Sequence, residues 1–336
     1  MKKYNRYTLL ISLWGLSFFS NTLFSQPVMD SVRHEMIRFV GQSNNNAGLL
    51  FGMYDETTGE VKILTEGTID KNDDLRVACP ITKPCVAYLV LKEGLNLNLS
   101  INKWFPAEKG YTKADTITLR MLLYHTSGIR DFARVVKIDP YKKLSPIETI
   151  NLAYQNQPLD FTPGAKYQYS NTDYNILGTI LVQISNKSFE DLIKENFGLV
   201  SPTLRLDDGK GKYPRGYSNP WPYHWSTTGY AGGLISTAED AMKAFSYISK
   251  SPEYQQMTKW INDSEKSNHL VGMGIFAFDN FHDFGRVVYY DGDMMANQMF
   301  IIKIGSMIYY FHTTHQVMLE DLINFSYKVI SLIHNK

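Results

Sequence analysis

Residues 76–84 read Arg76-Val77-Ala78-Cys79-Pro80-Ile81-Thr82-Lys83-Pro84, and the apolar segment that follows runs on to Lys92. Its length and composition predict a helix too apolar to be exposed, ending near Gly94. Residues three or four apart on a helix share a face. A lysine one turn along from a hydroxyl or thiol can therefore take its proton and activate it as a nucleophile at the positive end of the helix. Here the residue three before Lys83 is Pro80, which has no side-chain heteroatom. Four before it is Cys79, whose thiol would share the Lys83 face. Pro80 suits a first helical position, with Cys79 just outside the helix. Cys79 reads first as a small buried hydrophobe, since a buried cysteine more often packs than reacts.

The chain has 336 residues, 44% of them hydrophobic, enough for one large domain or two lobes. Residues 1–25 stand apart. Lys2, Lys3 and Arg6 precede an apolar run from Leu9 to Phe19, and Ser25-Gln26 is a cleavage point, the pattern of a secretory signal peptide. The run is too short for a membrane span, and no cysteine near the cut would carry a lipid. The expectation is an exported protein, periplasmic or secreted, with no stable membrane anchor after processing. Removing three basic and no acidic residues takes the formal charge from +1 to −2, which gives no reason to expect a nucleic-acid partner. Cys79 and Cys85 are six apart on one expected helix, about 9 Å of rise. That exceeds disulfide reach, so both are expected as free thiols.

Elsewhere periodicity predicts a helix over 28–41, with Val32, Met36, Phe39 and Val40 inward, and a hairpin of Ala47–Tyr54 with Val61–Leu64. Leu95 to Pro106 alternates like a strand. Thr118 is placed to cap a helix that runs into Tyr124-His125-Thr126-Ser127-Gly128. Ser145-Pro146-Ile147-Glu148 reads as a capping box. Phe161-Thr162-Pro163-Gly164 leads to Tyr169-Ser170-Asn171 and on to Tyr174, Leu177 and Gly178. Tyr213, Tyr217, Trp221, Tyr223, Trp225 and Tyr230 crowd a loop-like stretch that either rims a groove or covers a surface. Ala231 to Asp240 starts another helix, with Ser236 and Thr237 as caps. Gly285–Tyr290, Asn297–Ile304 and Ser306–Thr313 read as strands, with Tyr290-Asp291-Gly292-Asp293 between the first two. Leu319, Leu322, Ile323, Ile330 and Ile333 mark one face of a terminal helix.

Taken together, Arg76-Val77-Ala78 with Lys83, the His-Thr-Ser-Gly turn, Tyr169-x-Asn171 and the Ala231–Asp240 run resemble the serine β-lactamase and penicillin-binding DD-peptidase family, nearest its class C β-lactamases and esterases. The resemblance spans about Ala47 to Phe311. It implies a mixed α/β fold, an antiparallel sheet flanked by helices plus an inserted α-helical lobe, with the cleft between them. The α/β lobe would be about 27–95 and 231–336, and the helical lobe about 96–230. It also makes Leu95–Pro106 the lead into that lobe rather than a strand, and the His125–Gly128 turn a support rather than a nucleophile.

In that family a serine three before the lysine is the nucleophile. The tyrosine relays protons, and the asparagine holds the lysine and the substrate amide. A Lys-Thr-Gly or His-x-Gly strand supplies a cation for the tyrosine and the substrate carboxylate. The resemblance implies these roles for Lys83, Tyr169, Asn171 and Gly292. Pro80 stands where the serine should be, or Cys79 replaces it if Pro80 is an insertion. Tyr290 stands where the cation should be. No cofactor and no metal are implied. The ligands implied are a small peptide, a β-lactam-like molecule or a cell-wall fragment. With two catalytic groups missing from one cleft, the expected function is binding by a catalytically impaired relative. The alternative is a hydrolase using Cys79.

Overall fold

The computed structural model describes residues 24–42, 47–69, 79–135, 142–207, 225–263, 266, 268–294, 297–314 and 319–335. The segment read as a signal peptide, up to residue 23, the side chains of Cys79, Pro80 and Trp225, and Tyr213, Tyr217, Trp221 and Tyr223 lie outside the described residues.

Helix α1 (Gln26–Gln42) buries Met29, Val32 and Met36. It precedes the hairpin β1 (Gly48–Asp55) and β2 (Val61–Gly67). The apolar segment after residue 76 forms α2 (Cys79–Lys92). A helical layer follows: α3 (Leu119–Leu123), α4 (Phe132–Val135), α5 (Pro146–Tyr154), α6 (Asn171–Ser185) and α7 (Phe189–Phe197). The caps form where the sequence puts them. The Thr118 side chain accepts from the Met121 amide, and Ser145 and Glu148 close a capping box. Leu95–Pro106 holds only a short 3-10 turn at Ile101–Lys103.

The chain then passes through β3 (Arg205–Leu206), α8 (Gly229–Gly232), β4 (Leu234–Ile235), α9 (Ala238–Ser249) and α10 (Tyr254–Met257). Thr237 caps α9 by accepting from the Asp240 amide, whereas Ser236 donates to the Thr237 carbonyl and caps nothing. The chain re-enters the main sheet as β5 (Ile261–Asn262), β6 (His269–Val271), β7 (Phe276–Phe278), β8 (Val287–Met294), β9 (Asn297–Ile304) and β10 (Met307–Thr313), and ends in α11 (Leu319–His334).

The sheet has eight strands in the order β2-β1-β10-β9-β8-β7-β6-β5, and every described pairing is antiparallel. Every residue of β10 is buried, so both faces of the sheet are covered. Helices α1 and α11 pack together on the sheet, with the Phe39 and Phe325 rings 4.4 Å apart. Helices α2 and α9 also pack together on it, and α2 reaches β8, β9, α6 and α8. This is the mixed α/β fold with an antiparallel sheet flanked by helices.

Two features of this architecture differ from the sequence reading. Tyr290–Asp293 is not a connection. It continues β8, in register with Ile301, Phe300, Met299 and Gln298 of β9. Strands β5 to β7 have no counterpart in the reading above, because two- and three-residue strands carry too little alternation to be seen.

Candidate active-site cleft

Lys83 lies in the second turn of α2, 2% exposed. A lysine so buried must find acceptors for its ammonium. It donates to Asn171 Oδ1 at 2.9 Å and to the Ala231 carbonyl at 2.7 Å. The ammonium also stands 4.9 Å from the centre of the Tyr169 ring and 5.8 Å from that of Tyr174, within cation–π range. Tyr169 Oη donates to the same Asn171 oxygen at 3.3 Å. Lys83, Tyr169 and Asn171, 88 positions apart at the extremes, therefore meet around one amide oxygen.

Each partner is held from behind. The amides of Tyr230 and Ala231 donate to Asn175 Oδ1 at 2.8 and 3.1 Å, which fixes the α8 carbonyl that Lys83 uses. The Asn171 Nδ2 donates to both carboxylate oxygens of Asp131, at 3.3 and 3.2 Å. Burial raises the Asp131 carboxyl above its ordinary range, and the Ala133 amide, Asn171 and Lys83 pull it back. Sequence reasoning missed Asn175 and Asp131. They act through backbone and amide contacts that no local pattern announces.

The His125–Gly128 turn aims Tyr169. The Gly164 amide donates to Thr126, the Gln168 amide to His125 and the Asp160 amide to Gly128, so the turn grips the whole approach to the Tyr169 loop. Gly128 has φ +78, and a Cβ there would meet the Phe161 carbonyl at 2.3 Å. His125 is buried. Its Nδ1 accepts the Ser170 amide at 3.3 Å, and burial followed by the Lys83 charge lowers its basicity well below the usual range. Ser127 donates to Asp173 at 2.6 Å. Neither His125 nor Ser127 lines the cleft. Ser127→Ala should cost about 1 kcal/mol or somewhat more of stability, by leaving a buried acceptor short of a donor. Chemical denaturation would measure this, and ligand binding in the cleft should not change.

Helix α2 begins at Cys79, so Pro80 sits in the first turn, where its missing amide breaks no bond. Pro84 is inside the helix. It lacks the amide that would bond the carbonyl of residue 80, the position where the resemblance requires a hydroxyl. Cys85 is a buried free thiol raised by desolvation.

The opposite wall is β8. Among the described residues β7 pairs with β8 at Val287–Tyr289, so beyond Tyr289 β8 is paired with β9 on one side and lines the cleft. The cleft, about 340 Å³, reaches from Lys83, Tyr169 and Asn171 to Tyr290–Asp293, with Lys266 and His269 also lining it. Tyr290 is 2% exposed and stacks on Phe276 at 5.2 Å. Burial pushes its phenol well above the ordinary range, reinforced by Tyr169, Tyr174 and Asp291. It stays neutral and offers an O–H instead of a charge. Asp291 is pushed up to about 6, chiefly by burial, with Lys266 and Lys83 opposing the shift. His269 Nδ1 pairs with Asp263 at 2.9 Å. Gly274 (φ +74) lets the β6–β7 turn close on α2, since a Cβ would meet Ala87 Cβ at 2.7 Å and the Lys83 carbonyl at 2.8 Å. Among the described residues no helix is long and apolar enough to cross a membrane, and no group of three His, Cys, Asp or Glu is placed to hold a metal ion.

A family model described as Beta-lactamase matches residues 80–320, well over half of the chain. The chain belongs to the β-lactamase family. Among solved structures, this β-lactamase-family protein is similar to a D-amino acid amidase from Ochrobactrum anthropi SV3 at TM-score 0.78 and 18% identity, over 92% of this chain and 99% of the other. A penicillin-binding protein homologue from Pyrococcus abyssi aligns at TM-score 0.75 and 19% identity, over 92% and 78%. A class C β-lactamase mutant aligns at TM-score 0.71 and 15% identity, over 91% and 97%. At these identities the likeness concerns the fold. Protein flp of Staphylococcus aureus is 31% identical over 123 residues, 34% of this chain and 24% of its own length. The chain thus spans about a quarter of that curated relative.

Proposed function

We propose that this protein is an exported, catalytically impaired member of its hydrolase family that binds a peptide or peptidoglycan-like ligand in the cleft. One observation carries the reading. Lys83, Tyr169 and Asn171 are assembled on a single amide oxygen, while position 80 is proline and the opposite wall offers the neutral Tyr290 instead of a cation. A buried lysine with its acceptors in place is costly to maintain, and ligand recognition gives it a use without acyl transfer. The open side of β8 beyond Tyr289 offers backbone groups along which an extended peptide can lie. The basic and apolar segment before Gln26 supports export.

One observation favours a second reading. Helix α2 starts at Cys79, one turn from Lys83, so a thiol there would stand at a helix N-terminus, where thiolates are stabilised. This reading makes the protein a cysteine-dependent acyl hydrolase.

The test uses soluble muropeptides and short D-alanine-terminated peptides. Saturable binding without release of D-alanine is expected. At a hundredfold excess over Kd the ligand should add about 2.7 kcal/mol to stability, read as a raised Tm. Release of D-alanine at enzymatic rates, or no binding by any of these ligands, contradicts the proposal.

A further inference from the structure

The β8 wall carries a charge pattern opposite to the one the resemblance implies. The Asp291 carboxylate lines the cleft and is only partly exposed. Its own backbone amide donates to it, and among the described residues no lysine or arginine lies within ion-pair distance of it. Asp293 lies two residues further along the strand and also lines the cleft. Residues at that spacing face the same way. Lys83 gives its hydrogen bonds to Asn171 and Ala231, and its charge only partly offsets the Asp291 carboxylate. Lys266 lines the cleft and also partly offsets Asp291, but Lys266 and Asp293 are both exposed, so solvent screens the two charges alike. Behind the lining stand two more carboxylates, Asp131 under Asn171 and Asp263 under His269.

Beside these carboxylates part of the lining is aromatic. Phe276 lies 5.8 Å from Tyr289, and the His269 ring stands 5.0 Å from Phe276 and 6.4 Å from Tyr167. Ring faces attract cations, most strongly away from water. The same cleft already seats one ammonium this way, that of Lys83 over Tyr169. Carboxylates beside ring faces suit a cationic ligand. A ligand carboxylate, by contrast, would be set beside Asp291 and Asp293 at a cost in like-charge repulsion.

We propose that the cleft selects a ligand bearing an ammonium group, held between the Asp291 carboxylate and the aromatic wall, rather than a ligand bearing a carboxylate. The inference rests on the reading of the cleft as a ligand site and specifies the chemistry of that ligand. Asp291 is then the specificity-determining residue, with Asp293 reinforcing its field.

Calorimetric titration of the mature chain with three size-matched probes tests this: 2-phenylethylammonium, its neutral N-acetyl derivative and 3-phenylpropionate. The ammonium should bind about tenfold or more tighter than the other two, as expected for a partly desolvated charge pair. Asp291→Asn should bring it down to the neutral probe, and Asp293→Asn should give an intermediate loss, with circular dichroism confirming that both variants are folded. Equal affinities overturn the inference. So does tightest binding by the carboxylate, with loss of that binding in Lys266→Met identifying Lys266 as the recognising cation. Neither result touches the ligand-binding reading, which stands or falls on the muropeptide titration. Failure of all three probes overturns the inference, and overturns the broader reading only if the muropeptides fail as well.

Discussion

Pro80→Ser combined with Tyr290→His will turn over a chromogenic cephalosporin or an activated ester about a hundredfold or more faster than the unsubstituted chain, the scale of restoring a positioned acid–base group to a nucleophile. The serine recreates a hydroxyl three residues before Lys83, in the first turn of α2, where serine is well tolerated. Alone it should give weak turnover, because Tyr290 faces the Tyr169 side of the cleft as a neutral phenol. Histidine at 290 would restore a cation for Tyr169 and for a substrate carboxylate. The two gains should be non-additive, as for groups that act as one unit. Steady-state kinetics on the two single variants and the double variant make the comparison. Activity from Cys79→Ser, with none from Pro80→Ser, would show that residue 79 and not 80 occupies the nucleophile position.

Asp291→Asn will stabilise the folded protein at pH 7–8 by about 2–3 kcal/mol, the energy equivalent of a carboxyl whose folded-state value of about 6 lies roughly two units above the free aspartate value. The sign follows from the direction of the shift. Burial disfavours the carboxylate, so the folded state holds the proton more tightly than the unfolded chain. The ionised group therefore destabilises the fold above about pH 6, and this penalty fades as pH falls toward 4. The variant lacks the titration, so its advantage should be largest at pH 7–8 and vanish near pH 4. Asp131 and Asp173 are shifted in the same direction, but they are common to both proteins and cancel in the difference. Thermal denaturation across this pH range measures the effect. An advantage that grew toward acid would contradict the assignment. Stability gained with ammonium binding lost is the behaviour of a residue retained for recognition.

Much of this architecture is legible in the residues. Thr118, Ser145 and Thr237 announce helix starts through side chains that bond backbone amides three residues on, and such local chemistry reads directly from sequence. The resemblance carried by Lys83, Tyr169 and Asn171 places three distant side chains in one site, and their atoms meet there. What escapes is whatever depends on tertiary closure. Asp131 and Asn175 are ordinary polar residues in sequence, and only the fold brings them under Asn171 and the α8 carbonyl. His269 reaches the cleft on a strand too short to show alternation, and Lys266 lies between two such strands. Tyr290–Asp293 reads as a connection because Gly292 and two aspartates are poor strand formers. The β9 register overrides that preference and turns the segment into a wall.

On the proposed reading the cleft keeps its binding groups and carries out no acyl transfer, whereas an active relative would be acylated by a β-lactam. Intact-mass spectrometry of the protein after incubation with a penicillin decides between them. The mass should stay unchanged, because no hydroxyl stands three residues before Lys83. A stoichiometric penicilloyl adduct would contradict it. Loss of that adduct in Cys79→Ala would assign the reaction to the thiol, and its survival there would place a serine nucleophile elsewhere in the cleft.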